Sequence, residues 1–216
     1  MYEIRLINLS KRYKNKEVFK NLNLDIKKGE LVVLDGISGS GKTTLLNMMG
    51  GIEEPTSGDV IISGSLLKKM NKIDKIKFYR YQVGLIFQRL NLYPFLNLAE
   101  NISLPGIFAN QKQEEYENRL EKLAKDLMIE DILMSKPTEV SGGQAERACI
   151  ARAIFMRPKI ILADEPTNNL DLMNAENIMN IFYKIKFETG ATIVIASHDN
   201  VVKKYAERVI QLGIRE

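Results

Sequence analysis

The alternation of apolar and polar residues predicts short β-strands along the first part of the chain. Apolar and polar positions alternate over Tyr2–Leu9 and again over Val18–Ile26, as in strands with one buried face. Leu31–Leu34 is an unbroken apolar run, which is typical of a strand buried on both faces. It ends at a glycine-rich turn, after which a helical pattern begins at Lys42. Further strands are predicted at Gly58–Ile62 and Val83–Phe87.

The second half of the chain first becomes helical and then alternates between strands and helices. From Leu98 to Met134 the apolar positions have helical spacing, with Leu120, Leu123, Ala124 and Leu127 on one face. The later predicted elements are strands at Ile160–Ala163, Thr192–Ala196 and Val209–Leu212, and helices through Ile178–Ile185 and near Val201–Tyr205. Buried apolar strands that alternate with helices predict an α/β fold with a mostly parallel sheet, here with an antiparallel β edge. We expect one domain over residues 1–216, with a core at about 1–87 and 140–216 and an inserted helical subdomain at about 88–139.

Composition is that of an ordinary globular protein. The 216 residues are 45% hydrophobic and 27% charged, enough for one good core. The longest charge-free run, Asn101–Gln111, falls far short of the ~20 residues that span a bilayer. Met1–Leu9 carries Glu3 and Arg5 and lacks the pattern of a secretory signal, so a cytoplasmic protein is expected. The single cysteine, Cys149, excludes an internal disulfide and is expected to be an inert, packed thiol.

The formal net charge of +4 raises the question of a nucleic-acid partner. The densest basic segment contains Lys68, Lys69, Lys72, Lys75, Lys77 and Arg80, interrupted by Asp74. Because charges of both signs mix along the whole chain, a solvated helix face is favoured, and no nucleic-acid partner is expected. Attraction to an anionic membrane surface or to a membrane partner stays open.

The turn after Leu31–Leu34 is a Walker A phosphate-binding loop. Its glycines allow backbone N–H groups to point at phosphate oxygens, and the following helix adds its positive N-terminal end. Lys42 should reach the β- and γ-phosphates of ATP, and Thr43 should place its hydroxyl on Mg²⁺. An incidental glycine turn is disfavoured because strand, glycines, lysine, threonine and helix coincide. The predicted ATP-binding residues here are Gly36, Ser38, Gly39, Ser40, Gly41, Lys42, Thr43 and Thr44.

A second motif is the acidic pair Asp164–Glu165 at the end of the apolar run Ile160–Ala163. This is a Walker B pattern, in which Asp164 would bind Mg²⁺ and Glu165 would accept the proton of the attacking water. By itself, Asp-Glu after a strand is often a helix cap or a solvated turn. Its combination with a Walker A loop favours the functional interpretation.

The sequence Ser141-Gly142-Gly143-Gln144 resembles the signature of ATP-binding cassettes, and the chain resembles an ABC nucleotide-binding domain over nearly its full length. The resemblance implies that Ser141–Gln144, followed by a helix over Gly143–Met156, bind the γ-phosphate held by an opposite subunit, in an ATP-dependent homodimer or cassette pair. It also implies that Tyr13 stacks on adenine and that Gln88 lies in a loop that contacts Mg²⁺ and the attacking water. Asn169-Leu170-Asp171 would form the D-loop, and His198 would sense the γ-phosphate. Plain packing is the alternative for Tyr13, and a polar core or surface position for His198. The catalytic set implied in this way is Lys42, Gln88, Glu165 and His198.

Several short strings narrow the resemblance to a subgroup. They are Gly50-Gly51, Pro55–Gly58, Glu100-Asn101 with Leu104-Pro105, and Asp164–Asp171. That subgroup includes the lipoprotein-release, macrolide-export, antimicrobial-peptide-resistance and cell-division ATPases. It implies an ATPase on the cytoplasmic face of the membrane that drives export or extraction by separate integral membrane permease subunits. The alternative is a regulatory ATPase whose ATP-driven dimerisation signals to a partner without transport.

Four positions depart from the family pattern. Ala145-Glu146 stands where two polar amides are usual, Asn168 replaces a small residue, and Asp35 replaces a small or apolar one. Since none of these changes removes a group expected to touch phosphate or metal, we expect an altered rate or partner fit with activity retained.

The segment from Gln88 to Asn101 is too apolar for an ordinary loop. It contains Leu90, Leu92, Tyr93, Phe95 and Leu96 without periodicity. These side chains either close the helical subdomain's own core or form a groove for a short helix of the membrane subunit. The groove is the favoured interpretation.

Overall fold

The computed structural model of the chain describes residues 1–14, 16–168 and 170–213. The predicted D-loop residue Asn169 lies outside them. The strands are β1 (Tyr2–Tyr13), β2 (Lys16–Lys27), β3 (Leu31–Asp35), β4 (Ser57–Ile62), β5 (Ser65–Leu66), β6 (Val83–Ile86), β7 (Ile160–Asp164), β8 (Thr192–Ala196) and β9 (Arg208–Gln211). The α-helices are α1 (Lys42–Met49), α2 (Lys72–Tyr81), α3 (Leu98–Phe108), α4 (Gln113–Leu127), α5 (Gly142–Ile154), α6 (Leu172–Thr189) and α7 (Asn200–Tyr205).

A parallel sheet in the order β6-β7-β8-β3-β9 forms the centre of the fold. Every residue of β3, β7 and β8 is buried, which is why these segments are apolar runs in the sequence. Leu34 and Asp164 both pair with Ala196 at the carboxyl ends of these strands. The turns that follow β3, β7 and β8 are therefore neighbours at one edge of the sheet, although they are distant in the sequence.

An antiparallel sheet in the order β2-β1-β4-β5 confirms the predicted β edge. β1 continues to Tyr13, beyond the predicted Leu9, because it keeps pairing with β2 through register shifts at Leu9 and Lys11 that break the alternation of apolar and polar side chains. Apolar side chains of both sheets pack around α1 in one buried cluster, which includes Leu6, Val32 and Leu45.

The helices after β6 confirm the predicted helical region. On α4, Leu123, Ala124 and Leu127 are buried as the helical spacing predicts. They share one buried cluster with Leu98 of α3 and with Ile161 of the parallel sheet. The division of the chain into a core and a subdomain at about residues 88–139 stays a prediction.

Helix caps explain where the observed bounds differ from the predicted ones. α5 begins at Gly142, one residue earlier than predicted, because Ser141 caps it. α6 is much longer than Ile178–Ile185, because Asp171 caps its start and Gly190, with φ 69°, ends it. Within the described ranges, no helix has the length and apolar character needed to cross a membrane.

Candidate active site

A cleft of about 760 Å³ opens at the carboxyl edge of the parallel sheet. It brings the Walker A loop and the acidic pair together with the turn that follows β8. Its lining includes most of the predicted site, namely Tyr13, Gly36, Ser38, Gly39, Gly41, Lys42, Thr43, Thr44, Gln88, Asp164, Glu165 and His198.

The loop between β3 and α1 has the backbone conformation that its glycines predict. Gly39 and Gly41 have φ angles of 80° and 99°, in the left-handed region that favours glycine. A Cβ on Gly41 would lie 2.6 Å from atoms of both Val18 and Phe19. Lys42, at the start of α1, is buried, and its ammonium donates to the carbonyl oxygen of Gly36 at 2.6 Å. The loop thus curls around the lysine's charged end.

The carboxylate of Asp164 has the surroundings expected of a metal ligand. Its Oδ2 accepts the hydroxyl of Thr43 at 2.8 Å, while its Oδ1 is buried with no hydrogen-bond partner in the described chain. Burial raises the pKa of Asp164 and Glu165 adds to the rise, while the Thr43 hydroxyl and the Lys42 charge oppose it. A buried orphan carboxylate oxygen beside a hydroxyl suits a small divalent cation.

Phosphate oxygens of a bound nucleotide would complete the coordination of such a cation. Within the described ranges, no group of three or more His, Cys, Asp or Glu side chains could hold a metal ion. Mg²⁺ is commonly held by one or two protein oxygens together with substrate phosphates, so Thr43 and Asp164 fit it. The metal-binding role predicted for Gln88, an exposed residue at the rim, stays a prediction.

The carboxylate of Glu165 is held at both oxygens. His198 Nδ1 lies 3.1 Å from Oε1, and the Ser197 hydroxyl donates to Oε2 at 3.1 Å. The backbone of Glu165 has φ 49°, in the left-handed region, and its N–H donates to the Ala196 carbonyl at 2.8 Å. Ser197 is not among the predicted site residues. Its position directly after β8 and beside His198 is the sequence feature that could have pointed to it.

Tyr13 reaches the cleft from the end of β1. Its hydroxyl donates to the Glu53 carboxylate, and the Lys11 ammonium lies 4.9 Å from the ring centroid. Burial and the Glu53 contact raise the pKa of Tyr13. The ring is a little under half exposed, and its stacking on adenine stays a prediction.

The signature residues and Asp171 of the D-loop lie outside this cleft. Of the described residues that line it, none belongs to Ser141–Gln144, and Asp171 is not among them. Ser141 and Gln144 form a reciprocal cap at the start of α5, with backbone-to-side-chain distances of 3.3 and 2.9 Å. Asp171 caps α6 through Asn174. Ser40 is also absent from the lining, and its buried hydroxyl packs toward Gly36.

Asp35, noted in the sequence only as a departure, turns out to anchor the Walker A loop. Its Oδ1 accepts the N–H of Gly36 at 2.7 Å, and its Oδ2 contacts Lys203 at 2.6 Å and Gln211 at 2.7 Å. Burial alone would raise the pKa of Asp35, but these hydrogen bonds outweigh it and the pKa lies below its ordinary value. Other lining residues missing from the predicted set are Lys16, Val18, Ile37, Asn168, Lys203 and Gln211.

Comparison with known proteins supports this interpretation of the cleft. The family model described as ABC transporter matches residues 19–168, more than half of the chain. The macrolide export ATP-binding/permease protein MacB of Campylobacter jejuni is 41% identical over 209 residues, 97% of this chain and 32% of MacB. The lipoprotein-releasing system ATP-binding protein LolD of Buchnera aphidicola is 36% identical over 206 residues, 93% of this chain and 90% of LolD. The chain thus spans about a third of the MacB relative.

A solved structure gives the same result for the fold. The dimeric ATP-binding cassette MJ0796, in a post-hydrolysis state bound to ADP and Pi, superposes with a TM-score of 0.90 at 39% identity. The alignment covers 97% of this chain and 94% of that one. The region matched by the family contains the Walker A loop, the signature and the acidic pair. The chain therefore belongs to the ABC transporter family.

Proposed function

We propose that this chain is the ATPase subunit that drives export or extraction by separate membrane subunits, with Mg²⁺ as its metal. The observation that carries the chemical part is the convergence of Lys42, Asp164 and Glu165 on one cleft. The transport part rests on the relatives, since one is named for macrolide export and another for lipoprotein release.

ATP would bind with its phosphates on the Walker A loop. The backbone N–H groups of the loop and the first turn of α1 offer donors and a positive helix end, and Lys42 adds a buried cation. Mg²⁺ would be held by Thr43 and Asp164 and would neutralise developing charge on the phosphates.

Glu165 is the proposed general base. Its carboxylate accepts a proton from water as the water oxygen bonds to the γ-phosphorus, and the bond from that phosphorus to the β-phosphate oxygen breaks, with ADP leaving. The hydrogen bond from Ser197 and the contact with His198 fix the direction in which the carboxylate points. His198, which lines the cleft and is largely exposed, is the proposed sensor of the γ-phosphate.

A second copy of the chain would complete each site. Ser141 and Gly142 are exposed at the start of α5 and lie outside the chain's own cleft, so they are free to meet phosphate bound to a partner. The dimeric form of MJ0796 gives a precedent in a relative. Two ATP molecules would then be enclosed by two chains.

The membrane subunit is proposed to dock in a groove of about 350 Å³ beside the Gln88–Asn101 segment. Phe87 and Tyr93 line it together with Pro105 and Phe108 of α3, and Arg152 supplies a polar rim. Arg152 also donates to the Asn91 carbonyl at 2.7 Å, which ties the segment to the signature helix α5. Movement of a partner in this groove would therefore reach both Gln88 and α5. Phe95 is not part of the lining, but its ring lies 5.8 Å from that of Tyr93 and is largely exposed.

The test of the ATPase is a comparison of wild type with Glu165→Gln. The amide cannot accept the proton, so we expect hydrolysis to fall by roughly 10²- to 10⁴-fold while ATP still binds. Unchanged turnover in Glu165→Gln would exclude Glu165 as the base.

The test of the membrane partner uses Tyr93→Ser and Phe108→Ser, with Phe187→Ser as the control at an exposed position on α6. We expect the groove variants to fold and bind ATP but to lose co-purification with the membrane protein that the wild-type chain retains. Co-purification and ATPase stimulation that survive both groove substitutions would place the partner elsewhere, and ATP-dependent signalling without any membrane partner would favour the regulatory alternative.

A further inference from the structure

Helix α2 turns isoleucines toward solvent on the side opposite its single buried residue. Phe78 is 1% exposed, whereas Ile73 is 64% and Ile76 is 47% exposed. At 3.6 residues per turn, Ile73 and Ile76 share one face, and Ile76 and Phe78 point to opposite sides of the helix. The outer face of α2 is thus apolar at its centre.

The same face is bordered by cations. From Lys68 to Arg80 the chain has six cationic side chains and one carboxylate, that of Asp74. Lys72 and Lys77 lie on either side of the isoleucine face, and both are exposed. In the part of the chain that the structure describes, only Lys68 of the six forms a salt bridge, with Asp59. Lys72 and Lys77, which flank the isoleucines, thus form no salt bridge with another described residue.

The C-terminal end of α2 adjoins the proposed docking groove. Tyr79 and Arg80 line that groove with Phe87 and Tyr93. The Tyr79 hydroxyl donates to the Gly51 carbonyl at 2.6 Å, which holds the helix against the core. A membrane subunit seated in the groove would therefore lie beside the C-terminal end of α2.

We propose that α2 lies on the membrane and binds anionic phospholipids directly. Ile73 and Ile76 insert at the boundary between headgroups and acyl chains, while Lys72 and Lys77 contact lipid phosphates. Apolar side chains flanked by lysines on one helix face suit this boundary. The apolar side chains contact acyl chains there, while the lysine ammonium groups stay among the anionic headgroups. The location beside the groove rests on the proposed function, whereas the lipid contact can be measured on the chain alone.

The test is co-sedimentation of the purified chain with vesicles. We expect binding to vesicles of equal parts phosphatidylglycerol and phosphatidylcholine, little binding to pure phosphatidylcholine, and weakening of the former by salt. Lys72→Gln/Lys77→Gln should weaken binding by about fivefold per lysine, from ~1 kcal/mol each. Ile73→Ser/Ile76→Ser should also weaken it at unchanged net charge.

Two controls separate this site from general electrostatic attraction. Lys122→Gln/Lys159→Gln removes the same charge at exposed positions elsewhere, and Phe187→Ser removes an exposed apolar side chain on α6. All variants should keep the ATPase activity of wild type, which shows that they fold. Equal losses in the control and α2 variants, or no loss in the α2 variants, would overturn the proposal. If the α2 variants bind vesicles normally but lose the membrane protein, the face belongs to that protein instead. A failure of Glu165→Gln to lower hydrolysis would contradict the proposed function without affecting the vesicle result.

Discussion

The ammonium of Lys42 lies 3.7 Å from Oε1 of Glu165, so the cation expected to hold phosphate is paired with the proposed general base. Lys42 begins α1 and Glu165 follows β7, and both side chains are largely buried. Either substitution therefore changes the electrostatics of the other residue.

This pairing predicts opposite effects on ATP affinity. Glu165→Gln removes the negative charge beside Lys42 and beside the phosphates, so we expect ATP to bind more tightly than in wild type. Lys42→Ala removes the cation and should weaken binding by about tenfold or more, as expected for a lost charge-assisted hydrogen bond. Calorimetric titration measures both. Weaker binding by Glu165→Gln would mean that the carboxylate helps to hold the nucleotide.

The Thr43–Asp164 hydrogen bond predicts how metal dependence should change. Thr43→Val keeps the shape but removes the hydroxyl, so we expect the Mg²⁺ concentration for half-maximal ATPase activity to rise by about tenfold or more. Thr43→Ser retains the hydroxyl and is the matched control, expected to behave like wild type. If Thr43→Val and Thr43→Ser titrate alike, the hydroxyl is not a metal ligand.

The separation of Ser141 from the chain's own cleft predicts complementation between chains. Ser141→Arg should block the partner's site, and Lys42→Ala should block its own. A mixture of the two variants can form pairs that contain one intact site, so it should recover ATPase activity that neither variant has alone. A Ser141→Arg/Lys42→Ala double variant mixed with wild type is the control. No recovery in pairs shown to form by sedimentation would argue against a shared site.

The buried carboxyl of Glu146 predicts a pH-dependent stability. Burial raises its pKa from 4.5 to about 7, and its Oε1 has no hydrogen-bond partner in the described chain. Between these values the folded chain keeps a proton that the unfolded chain has lost. The free energy of unfolding should therefore fall as the pH rises from about 4.5 to 7, by at most roughly 3 kcal/mol.

Glu146→Gln tests this prediction because the amide has the same shape and no charge. We expect the variant to be more stable than wild type at pH 8 and equal to it at pH 4, measured by urea unfolding. Glu121→Gln, at an exposed position on α4, controls for the loss of a carboxylate in general. A pH slope that persists in Glu146→Gln would assign it to another group.

Substitutions at two glycines of the Walker A loop can distinguish the effect of backbone strain from that of steric crowding. Both Gly39 and Gly41 have left-handed φ angles, but an added Cβ meets nothing within 4 Å at Gly39 and meets Val18 and Phe19 at Gly41. We expect Gly39→Ala to cost about 1 kcal/mol in stability and Gly41→Ala distinctly more, with a larger loss of ATP binding. Equal effects in thermal unfolding would show that strain alone decides.

Local motifs were predictable from the sequence because their geometry is local. The Walker A loop is one strand, one turn and one helix, and the acidic pair directly follows one buried strand. Asp35 could not be assigned in this way, because its partners Lys203 and Gln211 are more than 160 residues away in the sequence. Gln211 reaches it through the pairing of β3 with β9, and Lys203 reaches it from α7. Ser197 was missed for the same reason, since its contact with Glu165 depends on the register of β7 with β8.

The length of β1 and the surroundings of its last residue, Tyr13, show a second limit of prediction from the sequence. Alternation predicts an end at Leu9, but the register shifts carry the strand to Tyr13, where Lys11 approaches the aromatic ring. The sequence suggests an aromatic side chain near the nucleotide but not the cation already beside it. Such a contact depends on how the strand twists.

The site forms only when the whole chain folds, because the ends of three strands meet at one edge of the sheet. β3, β7 and β8 lie far apart in sequence, and pairing them requires the closure of long loops before packing repays the entropy lost. A catalytic cleft assembled from them cannot exist on a partly folded fragment. A nucleotide that binds only the folded chain therefore stabilises the native state. The melting temperature should rise with nucleotide concentration, and the nucleotide should favour the folding of newly made chains.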